Sequence, residues 1–130
     1  MNTQFQTHGA VLGTPKLVLR AEGALVLAAV TYAYNQTSMG WLLFAILFFT
    51  PDIFMLGYLR NSRVGAIGYN IGHTYLTPAL LFGLGNFIGS SHLAAIALIW
   101  IGHIGFDRAV GYGLKYATGF KSSHLGSPYL

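Results

Sequence analysis

The chain has no cysteine, and only 3 of its 130 residues are acidic. Without thiols, disulfides, thiolate metal sites and cysteine nucleophiles are all excluded. Charge of either sign is scarce: charged residues make up 8% of the chain, against roughly 25% in an average soluble domain. So few charges cannot cover the surface of a soluble protein of this size. Phosphate-cradling glycine loops and the HExxH metalloprotease pattern are missing too. No serine falls at a depth where a buried histidine could activate it, which argues against a serine hydrolase. What the chain has in quantity is apolar sequence, 54% of all residues. Its length fits one domain, and its composition makes it an integral membrane protein. The net charge of +4 comes from bases at the ends of apolar segments, as the positive-inside rule expects. No nucleic-acid partner is implied.

Residues 1–15 read as a polar N-terminal tail with no apolar run, and so not as a signal peptide. Residues 16–117 carry four apolar segments: Leu17 to Tyr34, Met39 to Leu59, Val64 to about Leu84 (uncharged as far as Ile88), and Leu93 to about Leu114. Residues 118–130 read as a polar C-terminal tail. A helical crossing needs about 20 apolar residues, and four such segments fit. The runs are continuous rather than alternating, which excludes a β-barrel. The predicted fold class is therefore an all-α membrane protein, a four-transmembrane-helix bundle. Lys16, Arg20, Arg60, Arg63, Lys115 and Lys121 all fall at the same alternate ends of these spans, which predicts both termini on the cytoplasmic side. Gly65, Gly68, Gly72, Gly102 and Gly105 would let neighbouring helices approach closely.

All three acids, Glu22, Asp52 and Asp107, lie inside apolar spans. At about 1.5 Å per residue from the basic ends, Glu22 lies roughly 8 Å deep, Asn70 roughly 9, Asp52 roughly 10 and Asp107 roughly 12. His73 and His103 come deeper, at roughly 14 and 18 Å. Each span thus places a polar group in the same half of the bilayer. His103 and Asp107 are four apart and share a helix face. Ionisable groups in a membrane are costly and mark functional sites by default. Asp52, His73, His103 and Asp107 are accordingly the candidate metal ligands or acid–base groups. Glu22, Asn70, Tyr69 and Arg108 are the surrounding binding or orienting candidates. Simpler readings stand beside these. Glu22 can pair with Arg20 or Arg63 at the interface, Asp52 can serve a kink at Pro51, and Asn70 can bond between helices. His103 can equally be a satisfied core histidine. Arg108, about 100° around the helix from Asp107, is expected to snorkel to the interface. His8, His92 and His124 are expected to face solvent.

The segments PDIFMLGYL, RVGAIGYNIGHTY and WIGHIGFDRAVGYGLKYATGFKSSHLG resemble a family of small bacterial membrane proteins, domain-of-unknown-function family 4260. The likeness rests on Pro51, Asp52, Met55, Gly57 and Tyr58; on Tyr69, Asn70, His73, Thr74 and Tyr75; and on the block from His103 through Asp107 and Arg108 to Tyr116. Ser123 stands where that family often has threonine. The resemblance implies a four-helix membrane fold in a bacterial inner membrane, and no chemistry. A weaker likeness to membrane metal-dependent hydrolases, which also pair a PD motif with intramembrane histidines, is an analogy.

Two His with one or two Asp can bind Zn²⁺, Mn²⁺ or Fe²⁺ and leave a position for water. The first functional reading is thus a metal-assisted membrane enzyme acting on a lipid or other apolar substrate. The alternative is a proton or ion pathway, or a structural subunit of a homo-oligomer or larger membrane complex.

Overall fold

The structure, a computed structural model, describes residues 9–126. His8 and Pro128, read above as parts of polar tails, lie outside the described residues. Five α-helices and one 3₁₀ segment follow in order: α1 Gly13–Asn35, α2 Trp41–Leu47, the 3₁₀ segment Thr50–Leu59, α3 Ser62–His73, α4 Leu76–Phe87 and α5 Ser91–Val110. Among the described residues there is no named strand, only an isolated bridge between Lys115 and Ser123. Three helical stretches are long and apolar enough to cross a membrane: Gly13–Asn35, Trp41–Leu59 and Ser91–Val110.

The other expected span is split. Thr74 adopts an extended conformation, with ψ at 142°, and separates α3 from α4. Pro78 sits in the first turn of α4, where a missing N–H costs nothing. The same ring would clash with a helix running through Thr74. Proline acts in Trp41–Leu59 too. Pro51 cannot donate the backbone bond an α-helix needs there, and the chain tightens, with Asp52 N–H donating to Phe49 O at 3.1 Å. Ten residues, Thr50–Leu59, follow in 3₁₀ form, although 3₁₀ runs beyond three or four residues are uncommon.

Helix α5 is the centre of the molecule, packed against α1 along its length and against α4 beside it. Gly23 of α1 meets Gly105 of α5 so closely that a Cβ on either would come within 2.7 Å of the other's carbonyl oxygen. Val30 and Tyr34 of α1 form one buried core with Ala95, Leu98 and Ile99 of α5. The 3₁₀ segment folds back on α3 through the Arg60–Asn61 turn, and Asn61 caps α3 by accepting from Val64 N–H at 2.8 Å. Outward-facing Leu25, Leu42, Leu56, Leu80 and Phe87 are well exposed. That is costly in water and ordinary in lipid.

The stretch expected to be a polar C-terminal tail is folded onto the bundle as far as it is described. Gly111, at φ 103°, ends α5 in the left-handed region that glycine tolerates. Beyond it Leu125 and Ser123 are buried. His124 N–H donates to Leu114 O, and Val11 N–H donates to His124 O.

Candidate metal centre

The two breaks in helical regularity fall where two of the charged candidates stand. Asp52 lies in the first turn of the 3₁₀ segment and His73 is the last residue of α3. His103 and Asp107 come from unbroken α5, one turn apart. Their side chains converge. Asp52 Oδ1 lies 3.1 Å from Nε2 of His73 and 3.1 Å from Nε2 of His103. Asp107 Oδ2 lies 3.5 Å from the first nitrogen and 3.3 Å from the second. The two imidazole nitrogens are 3.3 Å apart. Across all four residues, the donor atoms lie within 4.8 Å of one another. Both histidines are buried, whereas the Asp52 side chain is 39% exposed. His103 is roughly 10 Å of helix from Val110, so the cluster sits nearer the end of the bundle that carries the Arg60–Arg63 turn.

Tyr69 orients His73. Its carbonyl oxygen lies 2.9 Å from His73 Nδ1, and a carbonyl can only accept, so Nδ1 carries the hydrogen. Nε2 of a neutral His73 then offers a bare lone pair to two carboxylate oxygens. The Tyr69 ring stacks on the imidazole, centroids 3.8 Å apart and planes 1° apart, which fixes its rotation. His103 has rings of Phe48 and Phe49 against its edge, and its Nδ1 is buried without a hydrogen-bond partner.

Several candidates lie outside this cluster. Asn70, expected to orient it, instead clamps the backbone after α5. Its side chain donates to Lys115 O at 2.8 Å and accepts from Lys115 N–H at 2.6 Å. It faces away because its neighbour Tyr69, not Asn70, stacks on His73. Arg108 does not snorkel to an interface. Its Nη2 donates to His73 O at 3.1 Å and its guanidinium lies over the Tyr75 ring at 5.5 Å. The break at Thr74 leaves that carbonyl unpaired, and Arg108 satisfies it. Glu22 is exposed on α1 and forms no ion pair among the described residues. The pairings considered for it, with Arg20 and Arg63, do not form; Arg20 Nε donates to Ala109 O instead. His92 is exposed as expected. His124 is not: it is half-buried, and Nδ1 accepts from Leu114 N–H at 2.9 Å. Burial first, and Arg108 beside it, hold its pKa below the ordinary value.

Two contributors escaped the sequence reading. Trp100 donates from Nε1 to Gly72 O at 2.7 Å, tying α5 to the turn that carries His73. Lys115 is buried, with its ammonium facing the rings of Phe120, Tyr69 and Tyr112. Its place at the end of a span disguised it as an interfacial base. Beside the cluster lies a cavity of about 220 Å³, lined by Phe49, Asp52, Met55, Tyr69, Phe106, Asp107, Tyr112 and Phe120.

A family model described as "Domain of unknown function (DUF4260)" matches residues 16–127. The chain belongs to this family. The match covers the four clustered residues and all five helices but the first turn of α1. Neither curated proteins nor solved structures give a match. As a DUF4260 member the chain inherits no assigned activity, and its chemistry has to be read from its own side chains.

Proposed function

We propose that the chain is a membrane protein that holds one divalent cation on Asp52, His73, His103 and Asp107, and uses it to hydrolyse a lipid-phase substrate. The observation that carries the reading is the spacing of the donors. A tetrahedral ion with bonds of about 2.0–2.1 Å sets its ligand atoms about 3.3–3.4 Å apart. The carboxylate–imidazole separations of 3.1, 3.3 and 3.5 Å bracket that figure, within a set that spans at most 4.8 Å. A set of two imidazoles and two carboxylates suits zinc, manganese or iron. It also answers an electrostatic problem, because a lone pair on His73 facing two carboxylates repels unless a cation or a proton stands between them.

Held there, a divalent ion would act as a Lewis acid on a water taken up in addition to the four side chains, making that water acidic enough to ionise near neutral pH. Asp52 uses Oδ1 toward both histidines, which leaves Oδ2 to take that water's proton. The water oxygen would then bond to the carbonyl carbon or phosphorus of an ester. The ester bond breaks, and the departing alcohol takes the proton back. The cavity beside Asp52 and Asp107 gives the substrate its place, and its wall reaches Phe49, which is 60% exposed.

In this reading α3 and α4 together make a fourth, broken crossing. Such breaks are tolerated at membrane depth where the freed backbone is buried in protein, as Arg108 and Trp100 do here. Both termini then face the cytoplasm of a bacterial cell.

A second reading rests on the same contacts. Two carboxylates and two imidazoles within hydrogen-bond reach can pass protons without a metal. Hydrolysis separates the two. Metal-loaded protein in lipid nanodiscs is given esters and phosphoesters of long-chain alcohols. Metal-dependent turnover that disappears in Asp52→Asn is the expected result; metal-loaded protein that cleaves none of them speaks against the enzyme.

A further inference from the structure

Lys115 is only 6% exposed. A buried ammonium normally has a carboxylate partner, because the interior repays its lost hydration poorly. Lys115 forms no ion pair among the described residues. Its Nζ lies 4.4 Å from the Phe120 ring centre, 5.0 Å from Tyr69 and 5.8 Å from Tyr112. All three rings also line the cavity that Asp52 and Asp107 border. The cation–π contacts offset part of the desolvation, on the order of 2 kcal/mol, and Asp107 acts on the charge from beyond ion-pair distance. The backbone of Lys115 is fixed independently by the paired bonds to Asn70, so the ammonium is held against the three rings that form this part of the cavity wall.

With a divalent ion on the cluster, Asp52 and Asp107 are balanced, and Lys115 becomes the uncompensated charge at the cavity. We propose that this cavity binds the phosphate group of a phosphorylated amphiphile, one oxygen toward the metal and another toward the wall of rings that the Lys115 ammonium backs, with the apolar chain leaving past Phe49. A phosphate presents several charged oxygens and can meet both cations at once, and lysine serves it as a point charge. A neutral ester would leave Lys115 unanswered. The apolar lining at Phe49, Met55 and Phe106 favours a phosphate attached to a lipid chain over a free one. This inference rests on the metal-centre reading above.

The test is calorimetric titration of the full chain in detergent with dodecyl phosphate, inorganic phosphate and dodecanol, after metal content has been measured on the same sample. Dodecyl phosphate should bind at least about tenfold more tightly than either of the others. Lys115→Met should weaken it about tenfold or more at unchanged metal content, and Lys115→Arg should restore most of the loss. Lys115→Gln is a second neutral variant, read where the methionine variant does not fold. Equal binding by parent and neutral variant, no binding to metal-loaded parent, or dodecanol binding as tightly overturns the proposal. Inorganic phosphate binding as tightly as dodecyl phosphate overturns its lipid half. A sample that takes up no metal sinks the underlying centre instead, and is recognised before any titration.

Discussion

Asp107 and His103 share one turn of α5, and each reaches the same small volume as Asp52 and His73. Without a cation, two carboxylates held there repel each other and pay for their own desolvation. Replacing a buried charge by a neutral shape-mimic is often neutral or stabilising. Asp107→Asn and His103→Gln are therefore expected to melt, metal-free in detergent, no lower than the parent. A drop of more than about 2 kcal/mol, the range of a broken buried network, would mean that the cluster is held for packing. His124 supplies a second test at this scale. Its folded pKa lies below its ordinary value of 6.5, through burial and the nearby Arg108. The unfolded state then binds more protons at mildly acidic pH, so the contribution of His124 is complete above about pH 6.5 and is lost as pH falls through the folded value. Hydrogen exchange at Leu114, whose N–H donates to His124 Nδ1, should be pH-corrected constant above about pH 7 and speed up below it. His124→Asn should flatten that profile.

Among the elements, α5 was the most legible. Its uncharged run is a local signal, and His103 and Asp107 follow from a spacing of four, although the run was read to about Leu114 and the helix stops at Val110 before Gly111. That α3 and α4 are two helices was not. Thr74 and Pro78 are the only local cues, and a proline is tolerated inside many membrane helices. The 3₁₀ form of Thr50–Leu59 was hidden for the same reason, since Pro51 predicts a kink and not ten residues of tighter helix. The α1–α5 pair depends on a contact that one glycine on each side permits. Gly105→Val places side-chain atoms against the backbone of Gly23, and a loss of about 1–3 kcal/mol is expected. Thermal melting in detergent measures it. A variant as stable as the parent would mean that the two helices do not cross there.

For the whole molecule, the clustering of Asp52, His73, His103 and Asp107 could be anticipated because depth along a span needs only the rise per residue. Which way Asn70 and Lys115 face could not, since their partners are 45 positions apart in the chain and meet only after the tail folds back. The same folded tail gathers Val11, His124 and Tyr116 at the end that carries the Arg60–Asn61 turn. Single-cysteine labelling gives a clean reading of sidedness, since the chain has no cysteine of its own. A cysteine at position 61 should react only once the cytoplasmic side is opened to the reagent; reaction from outside intact cells would invert the topology. The account stands most directly on metal content. Elemental analysis of the full chain, purified without chelator and reloaded with zinc, manganese or iron, should find about one ion per chain. The same analysis should find at least about tenfold weaker retention in Asp107→Asn and in His103→Gln. A parent that retains none of the three ions, or variants that retain as much as the parent, would contradict the metal centre.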